Sequence, residues 1–378
     1  MPAAARLPQP EPSKPLALSR PRMPRAEALT PYLERMDEAG WYSNFGPLLQ
    51  TFEARLADRL GGGAGVVTVS SATTALTLTL QALDLPPGVF CALPSWTFVA
   101  TAHAVMAAGL TPFFVDVDAA TGMLDPVRVE AALAEAPEPV RVVMPVLAHG
   151  APVDLDAWAA LRERTGVAVV VDAAAAFDVL DRAPVPAVVS LHATKALGVG
   201  EGGYVASTDA DLLARVRRLT AFGFAGDRVA RMPAQNAKLS EYAAAVGMAA
   251  LDGWTTTRQR YAHVARAWRV ALMDRPDIRF QPGWGLDWVS SVCVVDLPGP
   301  MTAPVATAMA GEGVPTRAWW SRGCHREPAF AGVGATALPA TERLAASTLG
   351  LPYAAAMDEA EVARAASALI RAVDAHAR

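Results

Sequence analysis

Lysine is nearly absent from this chain. Lys14, Lys195 and Lys238 are three among 33 basic residues, which leaves 30 arginines. Arginine serves wherever a fixed positive charge is enough, but its guanidinium stays protonated and forms no imine. A lysine retained against that background is a candidate for Schiff-base or proton-transfer chemistry. Lys14 lies in a proline-rich N-terminal stretch, so two candidates remain, Lys195 and Lys238.

Other scarcities exclude other classes. The three cysteines, Cys91, Cys293 and Cys324, are odd in number and far apart, which suggests neither a disulfide framework nor a metal site. Cys91 and Cys293 sit in apolar runs and read as buried small hydrophobes. No apolar run has the length and purity of a membrane span, and the N-terminus lacks the charged-then-apolar order of a secretion signal. A cytoplasmic protein with no membrane partner is the expectation. The net charge of −4 offers no basic footprint, so nucleic acid is not an expected partner. No G-x-G-x-x-G follows the first strand, which disfavours a nucleotide-dependent oxidoreductase.

The 378 residues are 52% hydrophobic, enough for one large α/β domain and a smaller one. Seven prolines between Pro2 and Pro24 predict an extended, mobile tail over residues 1–24. A large α/β domain is expected over 25–257 and a small C-terminal α+β domain over 258–378. Short continuous apolar strands (66–69, 89–94, 111–117, 140–147, 167–172) alternate with amphipathic helices, the pattern of a mostly parallel sheet covered on both faces. Helices are also expected over 240–259 and 359–375, and late strands over 289–296 and 314–318.

Three local features carry chemistry. Ser70-Ser71-Ala72-Thr73-Thr74 follows the first strand and opens a helix. Free N–H groups and the helix dipole suit a phosphate there, although an ordinary Ser/Thr cap has the same sequence. Asp172 ends an apolar strand, on the side where open α/β sheets bind ligands. It can pair with a pyridinium nitrogen, or simply cap a neighbouring loop. Lys195 ends the run Ser190-Leu191-His192-Ala193-Thr194-Lys195 and precedes Gly198, Gly200, Gly202 and Gly203, which permit close backbone approach.

In this order the chain resembles the DegT/StrS-type sugar aminotransferases, a branch of the fold-type-I pyridoxal 5'-phosphate (PLP) enzymes, from about Pro24 to the C-terminus. The resemblance is carried by Ser71–Leu76, Pro94–Thr101, Phe114–Asp118, Asp172–Ala174, Ser190–Gly203 and Asn236–Glu241. It implies Lys195 as the Schiff-base lysine and Asp172 as the acid on the pyridine nitrogen. It implies Thr73, Thr74 and Ser190 at the cofactor phosphate, and Phe98 stacked on the ring, where a core aromatic is the plain alternative. Asn236 would reach the phosphate of a neighbouring subunit, making a homodimer with shared sites. His192 is similar to a pocket histidine, catalytic or structural, and His325 to a substrate-side position.

The sequence departs from the family pattern at several points. Ala175 stands where glutamine usually contacts the cofactor phenolic oxygen, so another side chain or a water must serve. His149 replaces a usual tyrosine, Phe177 a usual histidine, and Lys238 a common arginine. The implied reaction is transamination of a keto sugar, nucleotide-linked, with glutamate as amino donor. Cyclitol amination, elimination or dehydration on the same fold, and a non-catalytic homologue, are the alternatives.

Overall fold

Alternate residues of a strand face opposite sides of a sheet, and in this chain both sides are apolar. The computed structural model describes residues 16–377; expectations for residues 1–15, Lys14 included, lie outside the described residues. The described chain runs α1 (Ala26–Ala39), α2 (Pro47–Leu60), β1 (Gly65–Val69), α3 (Ala72–Ala82), β2 (Phe90–Pro94), α4 (Val99–Ala107) and β3 (Thr111–Val115). It continues through α5 (Pro126–Leu133), β4 (Val140–Val143), α6 (Leu155–Thr165), β5 (Ala168–Val169), β6 (Val171–Asp172), β7 (Ala187–Ser190), β8 (Gly203–Ser207) and α7 (Ala210–Leu219). Val67, Leu93, Val142 and Val188 pack on one face with Leu76, Val105 and Val216 of α3, α4 and α7. Ala92, Val143, Val171 and Val189 pack on the other with Phe52, Trp158 and Met248. Each fully buried Leu, Val or Phe of this kind contributes about 1.5–3 kcal/mol.

Hydrogen bonding orders the strands β1-β8-β7-β6 and β3-β2-β4-β5. The two groups join because Val170 alone separates β5 from β6, and Val146 bridges Asp172 in parallel. β8 runs antiparallel to both its neighbours, and the remaining pairs are parallel. The α/β class and the mostly parallel sheet read from the sequence are therefore present. The carboxyl ends of β1, β2, β4, β6 and β7 lie on one edge.

Helix starts follow local chemistry. Asp125, Asp154, Asp209 and Ser240 each accept backbone N–H bonds at the next helix start. Glu241, buried to 1% exposure, does this at long range: its carboxylate accepts from Leu48 N and Leu49 N at the start of α2.

The C-terminal part holds α8 (Glu241–Asp252), α9 (Trp254–Ala271), β9 (Arg279–Phe280), β10 (Cys293–Asp296), α10 (Thr302–Gly311), α11 (Pro339–Ser347), β11 (Thr348–Leu351) and α12 (Glu359–His376). Its sheet is antiparallel, ordered β11-β10-β9. Several expectations are corrected here. The helix expected over 240–259 breaks at Gly253, between α8 and α9. The strand expected over 314–318 is a single bridge, Arg317 to Gly350, since Pro315 has no N–H to give. The strand expected over 289–296 begins only at Cys293, because Ser290 turns its hydroxyl to the His149 carbonyl. Residues 16–24 are extended but attached: Leu16 is buried, the Leu18 carbonyl accepts from Tyr353 N at 2.9 Å, and Arg20 pairs with Glu361.

Candidate active site

Strand register assembles the site. Val69 is opposite Gly203, and Gly203 is opposite Ser190, so the ends of β1, β8 and β7 form one row. Just beyond Val69, Ser71 caps α3 by accepting from Thr74 N at 3.1 Å. Thr73 is exposed at that helix start and Thr74 is half-buried, its hydroxyl 2.9 Å from Ser71 Oγ. Gly203 passes against this terminus: a Cβ on it would lie 2.7 Å from Ala72 N. Gly203→Ala is therefore expected to push α3 away from β8, costing about 1–3 kcal/mol. Thermal melting should show that loss together with weaker phosphate binding; an unchanged melting point would show that the two segments move apart freely.

Asp172 lies on the next strand, 5% exposed. Its Oδ2 accepts from Thr101 Oγ1 at 2.8 Å and its Oδ1 from Ala174 N at 3.0 Å. Thr101 lies one helical turn from Thr97 and shares a 2.8 Å hydroxyl contact with it. Burial raises the Asp172 carboxyl above the usual range, while Thr101, Ala174 and the charge of Lys195 draw it down. A cation placed against Asp172 would hold it ionised.

Lys195 sits half-buried in a tight loop. Its backbone N–H donates to His192 O at 2.8 Å, and a Cβ on Gly198 would meet the Ala193 backbone at 2.9 Å. Loss of water around the ammonium pushes it below its ordinary range, with Asp172 opposing. The free amine, which is the nucleophile, is thereby favoured. The two groups act on each other's charge and make no direct ion pair among the described residues. Ser190, buried at the end of β7, accepts from His192 N at 3.2 Å. The His192 ring is half-buried, its Nδ1 taking Thr194 N at 3.2 Å.

Phe98, the N-cap residue of α4, is 59% exposed although aromatic. That leaves an apolar face free for a flat ring. The family model for DegT/DnrJ/EryC1/StrS aminotransferases matches residues 25–370.

The chain belongs to that family.

A "dTDP-4-amino-4,6-dideoxy-D-glucose transaminase" of Shigella dysenteriae is 33% identical over 69% of this chain and 71% of its own. The solved structure of DesI in the presence of its TDP-sugar product covers 96% of this chain and 94% of that one, with 34% identity and a TM-score of 0.85. A Bacillus cereus ATCC 10987 structure described as a PLP-dependent aminotransferase gives a TM-score of 0.88 at 26% identity, covering 94% of this chain and all of that one. This DegT-family chain is thus an enzyme of a PLP-dependent group.

The residues present suit that cofactor. A phosphate fits the α3 start beside Ser190, a ring fits against Phe98, and its nitrogen fits Asp172. Lys195 Nζ has no hydrogen-bond or ion-pair partner of its own among the described residues. Asn236 is exposed, with Lys238 Nζ donating to its Oδ1. Its neighbour Ala237 accepts from Ser70 N at 2.8 Å. His325 docks the C-terminal part onto the β2 end through Ser95 Oγ, 2.7 Å from Nδ1. Sequence reading gave no role to Thr101, although the Thr97–Thr101 spacing of one helical turn was visible. It also missed Trp320, whose ring stacks on His149 at 4.0 Å across the fold.

Among the described residues no group of His, Cys, Asp and Glu is arranged to hold a metal, and no helix is long and apolar enough to cross a membrane.

Proposed function

We propose that this DegT-family enzyme is a PLP-dependent aminotransferase that converts a nucleotide-linked keto sugar to an amino sugar, with glutamate as amino donor. The observation that supports it most is the pairing of β6 with β7, which sets the buried Asp172 near enough to Lys195 for the charge of each to act on the other. The similarity to DesI and to the Shigella transaminase supports the sugar substrate.

When bound, the cofactor supplies an electron sink conjugated with the substrate nitrogen. Asp172 keeps the ring nitrogen protonated, and Thr101 and Ala174 hold its carboxylate in place. Lys195 Nζ, as the free amine that desolvation favours, would take the proton from the donor carbon bearing nitrogen and pass it to the cofactor carbon, and would move a proton the opposite way in the second half. Thr73, Thr74 and Ser190 anchor the phosphate, so the ring does not drift from Lys195. His192 orients the Lys195 loop through Thr194.

Half-reaction spectroscopy tests this reading. Glutamate should change the visible spectrum of the loaded protein, and a nucleotide keto sugar should restore it. Restoration by a keto-cyclitol but by no nucleotide sugar would favour the cyclitol reading. No spectral change with any amino donor would contradict transamination.

A homodimer with shared sites belongs to the same proposal. Trp41, Tyr42, Phe222 and Tyr242 are each about half exposed around Asn236 and the start of α8, which is apolar surface suited to a second copy. If Asn236 serves the partner's site, a mixture of Lys195→Ala and Asn236→Ala proteins regains activity. Random re-association leaves one site in four intact, about a quarter of wild-type turnover. A mixture no more active than its components would place Asn236 in its own subunit's site, or outside both.

A further inference from the structure

The Ala175 side chain has no donor to offer, and it lies half-buried three residues after Asp172. The loop that packs against it is the one after β4. Gly150 approaches so closely that a Cβ on it would lie 2.5 Å from the Ala175 carbonyl oxygen. The residue before Gly150 is His149, the position where the family pattern has tyrosine.

His149 is held from several sides. It is 8% exposed, has a left-handed backbone (φ 55°), and gives its carbonyl to Ser290 Oγ. Its ring lies flat on Trp320 at 4.0 Å and 16°, while Trp320 meets Trp96 edge-on at 5.2 Å. A non-glycine residue in the left-handed region is uncommon, and a buried imidazole normally finds a partner for each nitrogen. Neither ring nitrogen of His149 has a protein partner among the described residues, and neither counts among the fully buried unpartnered atoms, because His149 lines a cleft. Lys195 is near enough for its charge to act on the ring.

We infer that His149 is a positioning residue that donates a ring N–H to the phenolic oxygen of the bound cofactor, supplying the hydrogen bond that Ala175 cannot. The inference rests on the PLP reading above. Trp320 fixes the plane of the imidazole, and the next residue, Gly150, packs against the Ala175 carbonyl. Burial and the charge of Lys195 push the imidazole down to about 3, so it stays neutral and keeps one N–H donor across the working range. His149 itself lines a cleft with the other charged groups near it, Arg279 and Arg343, both paired with Asp296. Asp172 is on the strand that pairs with the His149 loop.

The test is the pH titration of the visible absorbance of the PLP-loaded protein, without turnover. A donor on the phenolic oxygen stabilises its anionic form, so the chromophore loses its proton at lower pH. His149→Phe keeps the ring stack and removes the donor. It should raise the midpoint by about 1–2 pH units, the range of one hydrogen bond to a charged group. His149→Phe combined with Ala175→Gln should bring the midpoint most of the way back. Ala175→Gln alone should move it less than the same substitution does when combined with His149→Phe. An unchanged midpoint in His149→Phe overturns the inference. So does a shift that Ala175→Gln does not reverse, because His149 would then act through packing. A wild-type protein that takes up no PLP and shows no visible band contradicts the cofactor reading itself, a separate outcome.

Discussion

Lys195→Ala should fold and melt like the wild type and yet show no measurable transamination. Lys195 Nζ makes no hydrogen bond that the fold depends on, and its loop is held by backbone bonds and by Gly198. Desolvating the ammonium is a cost to stability, as its lowered proton affinity shows, so removing it does not weaken the native state. On the proposed reading, catalysis would lose both the group that receives the cofactor and the base that moves the substrate proton. Proton transfer alone is worth about 10²–10⁴ in rate. Circular dichroism with a coupled glutamate assay checks both halves. Residual turnover above roughly one hundredth of wild type would mean that another base carries the proton.

Asp172→Asn should be the second most damaging change and should also leave the fold intact. The amide oxygen can still accept from Ala174 N, and Thr101 can turn its hydroxyl to the amide. What disappears is the negative charge against a protonated ring nitrogen in a buried place. Breaking a buried charge pair costs about 3–5 kcal/mol, or roughly 10²–10⁴ in rate if the whole amount falls on the transition state. Steady-state kinetics and a thermal melt separate the two effects. Near-normal turnover would reduce Asp172 to the cap that also fits its contacts with Thr101 and Ala174.

The two variants differ from a structural lesion in a way that can be checked. Thr101→Val removes a donor to Asp172 without touching its charge. It should raise the Asp172 proton affinity further and lower turnover far less than Asp172→Asn.

Much of this was legible before any coordinates. Strands buried on both faces are continuous apolar runs, as in Val169-Val170-Val171, and those runs pointed to the parallel sheet. The site was legible wherever chemistry is local in sequence: a cap at Ser71 before two threonines, a carboxylate at a strand end, a rare lysine among glycines. Long-range contacts were not. Nothing in the sequence around residue 320 says that Trp320 lies on His149, since that contact depends on how the C-terminal part folds back. Glu241 looked like part of a motif, and its work at the start of α2, nearly 200 residues earlier, needs the packed structure to be seen. The elements α10, β9 and β11 were missed for a different reason. α10 is nearly uniformly apolar and so lacks a periodic face, while β9 has two residues and β11 four, too short for alternation to register. Residues 16–24 carry two of the tail's prolines, Pro21 and Pro24, and are extended as expected, but their backbone bonds to the C-terminal part are invisible in composition.

The central claim, that Lys195 is the residue that joins the cofactor, has a direct measurement. The PLP-loaded protein is reduced with borohydride, digested, and its peptides mapped by mass spectrometry. With three lysines in the chain, the answer is unambiguous. The account predicts the cofactor mass on the peptide containing Lys195 and on no other. Label on Lys238 or Lys14, or a protein that retains no label after reduction, would contradict it.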